Sequence, residues 1–235
     1  MTWHLSPVLR PLPFDGLYFH RRSIGSFDKA PPHDKVLTYG AAWFGLETNK
    51  GVEPTCLLVA ECDAERRLHI TEMYHAELPF DQAIDWLFKI HGGFHRVSVE
   101  ATAYPTRANI YGVRLWQCSQ EQYRESVGEA IQAHIRRSKL IGRDRSMPLS
   151  ALPNPFDLNS AARTLQAEMM ADRVLFPTAP EWVPECLAEL TQWPSVRSDA
   201  RVKALCVLMA GLPAIMPPAR GDYAPAGKRG TGWAA

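Results

Sequence analysis

No Gly-x-x-x-x-Gly-Lys-Ser/Thr occurs in this chain, so it has no loop of the kind that cradles nucleotide phosphates in P-loop ATPases. No Cys-x-x-Cys occurs either, and the five cysteines, at 56, 62, 118, 186 and 206, are odd in number and widely spaced. That excludes a disulfide framework and reads as buried free thiols in a reducing cytosol. The histidines form no His/Cys cluster with zinc spacing. Gly-x-Ser-x-Gly is missing, and no Ser/His/Asp set stands out. No apolar run is long enough to span a membrane, and no charged-then-apolar leader opens the sequence. Charge of one sign is missing too: Lys and Arg exceed Asp and Glu by one, so no global field draws the chain to nucleic acid or membrane. Any DNA contact must come from a local basic patch.

What is present is an ordinary globular composition, 46% hydrophobic and 22% charged, over 235 residues, which suffices for one sizeable core. Residues 1–34 mix five prolines with Trp3, Phe14, Tyr18 and Phe19, which reads as an extended arm too aromatic to be a free tail. Residues 36–44, Thr55–Cys62 and Leu68–Ala76 read as three strands of an antiparallel meander. His69 and His75, in the third, are expected at the surface. Phe80–Ile90 has helical apolar spacing, with Gly92-Gly93 beyond it. Residues 104–118 are ambiguous, with room for a short helix from Asn109 and a short strand at Val113–Trp116; a long amphipathic stretch from about 119 to 140 follows, with Ser119 as N-cap. Asn159 is the expected cap of a helix to Asp172. Arg173–Phe176 is a short strand, Pro180–Trp193 a helix, and Ser198 the expected cap of a last helix to about Ala210. The Pro-, Gly- and Lys/Arg-bearing residues 214–235 read as a flexible tail, leaving 35–213 as the domain.

Two carboxylates stand at the edges of regular elements. Arg96-Val97-Ser98-Val99 alternates as a strand and ends on Glu100. In open α/β sheets, chemistry is placed outside the carboxyl ends of strands. Asp199 lies just before the last helix. Carboxylates from distant segments placed in this way can share a divalent cation, although a lone strand-end Glu is more often simply solvated. The strongest electrostatic feature is Arg136, Arg137, Lys139, Arg143 and Arg145, running from a helix end into a Pro-bounded loop. Such cations complement a helix dipole, and they are also candidate phosphate contacts in a groove beside the acidic site.

The order of these motifs resembles the nuclease domain of phage terminase large subunits, over residues 30–212. Leu37-Thr38-Tyr39-Gly40-Ala41-Ala42-Trp43 answers that family's first strand, hydrophobic–Gly–x–Asp–x–Ala. Val97-Ser98-Val99-Glu100 answers its strand ending on Glu. Ala161-Ala162-Arg163 and Arg173-Val174-Leu175-Phe176-Pro177 answer its helix with an Arg and its strand ending in Pro. Trp193-Pro194 and Asp199-Ala200-Arg201-Val202-Lys203-Ala204-Leu205 answer its closing phrase, which argues against a resolvase or transposase relative. The resemblance implies an RNase H-like α/β fold, a central mixed β-sheet with flanking helices. It implies Mg²⁺ or Mn²⁺ on Glu100 and Asp199 and double-stranded DNA as substrate. It implies a separate packaging ATPase, portal or other phage assembly protein as partner, and a place in the host cytoplasm rather than at a membrane. The family's ATPase motor has no counterpart here, so the likeness is to the second half of a large subunit.

The departures are chemical. No acid lies between Lys35 and Leu46, so the family's first Asp is replaced; the Gly-x-Asp pattern puts that position at Ala42. The Asp-Asp pair has become Asp199-Ala200, and the later Asp has become Lys203. Two ions that bridge the attacking and leaving oxygens of a phosphodiester need more carboxylates than these, and an ammonium nearby lowers their occupancy further. Two functions follow as expectations. One is a terminase-type, metal-dependent endonuclease with an incomplete site and a weakly held ion at most. The other is a nuclease-like domain that has lost catalysis and binds DNA or a protein partner.

Overall fold

Thr55–Cys62 (β5) is buried along its whole length, which is why it reads as an almost unbroken apolar run rather than as an alternating one. It is central in the computed structural model, which describes residues 18–32, 35–48, 51–92, 113–140, 147–152, 155–196 and 198–215. Around β5 stand Gly25–Phe27 (β1), Leu37–Trp43 (β2), Leu68–Ala76 (β6), Leu115–Cys118 (β7), Leu149–Ala151 (β8) and Val174–Pro177 (β9). They form one mixed sheet in the order β1-β9-β6-β5-β2-β7-β8. A separate two-stranded ribbon pairs Glu47–Thr48 (β3) with Gly51–Val52 (β4). β2, β5 and β6 are the antiparallel meander expected from the sequence, and β7, β8, β9 and β1 add parallel neighbours.

Among the described residues, five longer helices cover the two faces: Phe80–Gly92 (α1), Gly128–Leu140 (α2), Leu158–Met170 (α3), Trp182–Gln192 (α4) and Ala200–Ile215 (α5). The chain enters α2 through a short turn at Gln120–Gln122 and a π-helical segment at Tyr123–Val127. Strand alternation divides the core in two. Tyr39, Ala41, Cys56, Leu58 and Ala60 face α3, α4 and α5. Ala42, Phe44, Leu57, Val59 and Trp116 face α1 and α2. Close approach explains two glycines: a Cβ on Gly40 would strike the Trp116 ring, and one on Gly211 would strike the Gln117 side chain.

Several local expectations are corrected. Asp157, not Asn159, caps α3: its carboxylate accepts the Asn159 N–H at 3.1 Å. The last helix runs on to Ile215. Gly25–Phe27, within the expected arm, joins the sheet as an edge strand beside β9, and Tyr18 packs edge-on to Trp193, ring centroids 4.7 Å apart. His69 is buried rather than exposed, because Asp63 holds its Nε2 at 3.0 Å while Arg67 Nε donates to the same carboxylate at 2.9 Å. His75 is half-buried. The five cysteines are free and buried, and burial pushes the Cys62 and Cys118 thiols up to about 11 and about 12. The flexible tail expected over 214–235 lies, from residue 216 on, outside the described residues.

Candidate functional site

The site is set by how α5 begins. An α-helix leaves its first N–H groups without intrahelical partners. The sequence offers Ser198 as a cap, but its Oγ has no hydrogen-bond partner. Glu189 of α4 caps the helix instead: its Oε1 accepts the N–H of Arg201 at 2.8 Å and of Val202 at 3.1 Å, and its Oε2 takes the Arg201 guanidinium at 3.0 Å. A second carboxylate, Glu185, accepts from the same guanidinium at 2.5 Å. Glu189 is almost fully buried, and burial raises its pKa, with the Val202 amide and Arg201 opposing the shift. Sequence reading missed Glu189 and Arg201. The only signal was an acid in the last turns of one helix and an Arg at the start of the next.

This anchored turn presents Asp199 at the carboxyl end of β2. Lys203, one turn into α5, places its Nζ 2.8 Å from Asp199 Oδ1, with side-chain exposures of 21% and 31%. The same Nζ stands 4.9 Å from the centroid of the Trp43 ring, a cation–π contact. Trp43 ends β2 and is itself backed by Phe156, centroids 5.9 Å apart. Asp199 and Lys203 line a small cleft of about 60 Å³ with Trp43, Glu53, Pro54, Ser198 and Ala200.

The structure treats the expected site residues differently. Asp199 and Lys203 are brought into direct contact. Ala42, the expected place of the missing Asp, faces away: it packs with Phe44, Leu57 and Val59 under α1, on the other side of the sheet from α5. Ala41 is on the α5 side, sealed between Leu58 and Gln117, and Trp43 is the β2 residue that reaches the cleft. Glu100, Arg143 and Arg145 lie outside the described residues. Arg136, Arg137 and Lys139 are exposed at the end of α2, which belongs to the Ala42 layer. They therefore do not share a groove with Asp199. About 30 Å of helix, at 1.5 Å per residue, separates that end from the turn at Gln120.

The described donors alone do not make up a two-ion site. Among the described residues no group of three or more His, Cys, Asp or Glu could hold a metal. Asp199 in the cleft already has a cation on it, 2.8 Å away. Among the described residues no helix is long and apolar enough to cross a membrane.

The sequence matches no protein-family model and no curated protein. Solved structures do match. The large terminase nuclease from thermophilic phage G20c superposes with a TM-score of 0.51 at 12% identity, covering 79% of this chain and 92% of that one. The same nuclease with bound cobalt gives 0.51 at 10% identity, covering 80% and 93%. The large terminase from another thermophilic bacteriophage, in complex with ADP, gives 0.53 at 11% identity, covering 81% of this chain but only 42% of that one. At such identities the likeness shows the fold: a mixed-sheet α/β architecture shared with the RNase H-like nuclease of large terminases.

Proposed function

We propose that this chain is a terminase-nuclease-type domain that engages double-stranded DNA during phage packaging without performing two-metal cleavage. It acts beside a separate packaging ATPase, and with portal or another assembly protein. The observation that carries the reading is the Lys203 ammonium, 2.8 Å from Asp199 and 4.9 Å over Trp43, at a position where the sequence resemblance would put a carboxylate. An ammonium neutralises a carboxylate. It can donate to a phosphate oxygen, but it is not a Lewis acid: it cannot activate a bound water or bridge attacking and leaving oxygens.

The second reading is a Mn²⁺-dependent endonuclease whose ligands are Asp199 and Glu100. Two observations favour it: Asp199 keeps 31% of its side chain exposed, and the similar G20c nuclease binds cobalt. The two readings part in one assay. Purified protein is incubated with supercoiled plasmid in Mg²⁺ or Mn²⁺, and DNA retention is followed alongside nicking. Retention without nicking is the expected result. Mn²⁺-dependent nicking that Asp199→Ala abolishes would establish the second reading instead.

A further inference from the structure

The near-zero net charge conceals an uneven distribution, and the fold sorts it. One edge of the sheet is where β2 and β6 end. There Phe80, at the start of α1, touches Phe44 with ring centroids 5.8 Å apart. Gln122, ahead of α2, donates to the Phe44 carbonyl at 2.7 Å. Both helices then run back over the same face. His91 Nδ1, in the last turn of α1, accepts from Trp116 Nε1 at 3.2 Å. His134 of α2 stacks on Phe88 of α1, centroids 3.9 Å apart, and pairs with Asp85 at 3.0 Å. The two helices therefore run parallel and finish together at the opposite edge.

Their charges follow that course. The starting edge, shared with the Asp199 cleft, carries exposed Glu47, Glu53, Glu77, Asp81, Glu121 and Glu125, with Arg124 as an exposed cation among them. The finishing corner carries exposed Lys89 from α1 and exposed Arg136, Arg137 and Lys139 from α2. Lys35, ahead of β2, and Arg114, whose N–H donates to Thr38 at the start of β2, are exposed along the same edge. The acids at this end of the sheet are engaged or inward: Asp85 with His134, Asp63 with Arg67 and His69, exposed Glu65 with Arg67, and Glu61 buried.

We propose that duplex DNA binds through its phosphate backbone at this corner, on Lys89, Arg136, Arg137 and Lys139, and not at the Asp199 cleft. The inference rests on the DNA-binding reading above and specifies its surface. A carboxylate-lined edge repels a polyphosphate unless divalent cations intervene, and Asp199 there is already paired with Lys203. The opposite corner offers four cations from two rigid helix ends. That arrangement suits backbone contact without base readout.

The test is fluorescence anisotropy of a labelled random-sequence duplex without divalent ions, titrated at several NaCl concentrations. Each phosphate contact contributes about 0.9 to the slope of log K against log salt, so Arg136→Gln/Arg137→Gln/Lys139→Gln should lower that slope by about 2.7. Its affinity should fall at least about tenfold in low salt. Arg124→Gln removes an exposed cation at the acidic edge and should leave the slope within about 0.5 of wild type. All four side chains are exposed, so circular dichroism should show the wild-type fold throughout. An unchanged slope in the triple variant overturns the proposal, and so does an equal loss per charge in Arg124→Gln. Polyglutamate bound as tightly as duplex DNA would overturn it in favour of an acidic protein partner. If wild type binds no duplex at all, the DNA-binding reading falls with it; if wild type binds and the triple variant binds equally, only the location is wrong.

Discussion

Replacing Glu189 with Ala tests the account of how the site is positioned. The carboxylate has 5% side-chain exposure and serves three donors: the N–H of Arg201, the N–H of Val202, and the Arg201 guanidinium, itself 11% exposed. Val202 is fully buried, so water cannot replace its partner. Each buried donor left unmade costs about 1–3 kcal/mol, and breaking a buried ion pair costs about 3–5 kcal/mol in total. Arg201 would keep only Glu185, which is 70% exposed and screened. We expect Glu189→Ala to lose about 3–4 kcal/mol, which for a domain of this size lowers Tm by roughly 6–16 °C. Glu185→Ala, removing the exposed partner alone, should cost less than about 1 kcal/mol. Glu189→Gln keeps an acceptor for the amides and should fall between them. The measurement is urea unfolding followed by both fluorescence and circular dichroism, so that two-state behaviour is checked. A Glu189→Ala loss below about 1 kcal/mol, or one equal to that of Glu185→Ala, would refute the claim that a buried carboxylate from α4 fixes the start of α5.

Three further outcomes follow from the same geometry. Lys203→Gln frees Asp199; with Mn²⁺ at ten times the new Kd the gain is about 1.4 kcal/mol, a Tm rise of roughly 3–6 °C in scanning calorimetry that wild type should not show. Ala42→Asp should lose several kcal/mol by placing a charge under α1 and gain no Mn²⁺ response, whereas Trp43→Asp in the Lys203→Gln background should tighten Mn²⁺ binding by calorimetry. Burial first, and then Arg201, lowers the His75 pKa from 6.5 to about 4. Its folded pKa lies below its unfolded one, so its contribution is complete above pH 6.5 and is lost as pH falls towards about 4; the difference between wild-type and His75→Phe stability curves should bend over that window.

The meander and most of the helices are legible in the sequence because their signals are local. β5 and β6 have the bounds that their apolar patterns indicate, Thr55–Cys62 and Leu68–Ala76. Ser119 caps its helix as expected, accepting the Gln122 N–H at 3.2 Å. What is not legible depends on contacts between segments far apart in sequence. Gly25-Ser26-Phe27 has no strand pattern of its own and is a strand only because β9 offers it an edge. Matching a Gly-x-Asp pattern assigns Ala42 to the site, yet strand parity places Ala41 and Trp43, not Ala42, on the α5 side. Arg136, Arg137 and Lys139 are recognisable as a patch, but sequence distance says nothing about which layer of the sheet a helix covers.

The Lys203–Asp199 pair and the position of the exposed cations are linked. In a metal-dependent site, carboxylates at the carboxyl ends of the strands are an asset, because divalent ions reverse their sign towards phosphate. Here Lys203 is covalently part of the chain. It delivers a single charge to Asp199, is held against Trp43, and cannot be exchanged with solvent ions. The remaining acids of that edge, Glu53 at the cleft among them, then keep their own sign, which disfavours a polyanion there. On the proposed reading, DNA meets the chain where cations are unopposed, at the far corner where α1 and α2 end. Removing Lys203 without restoring a carboxylate on β2 therefore changes ion binding at one edge while leaving salt-dependent DNA binding at the other as it was.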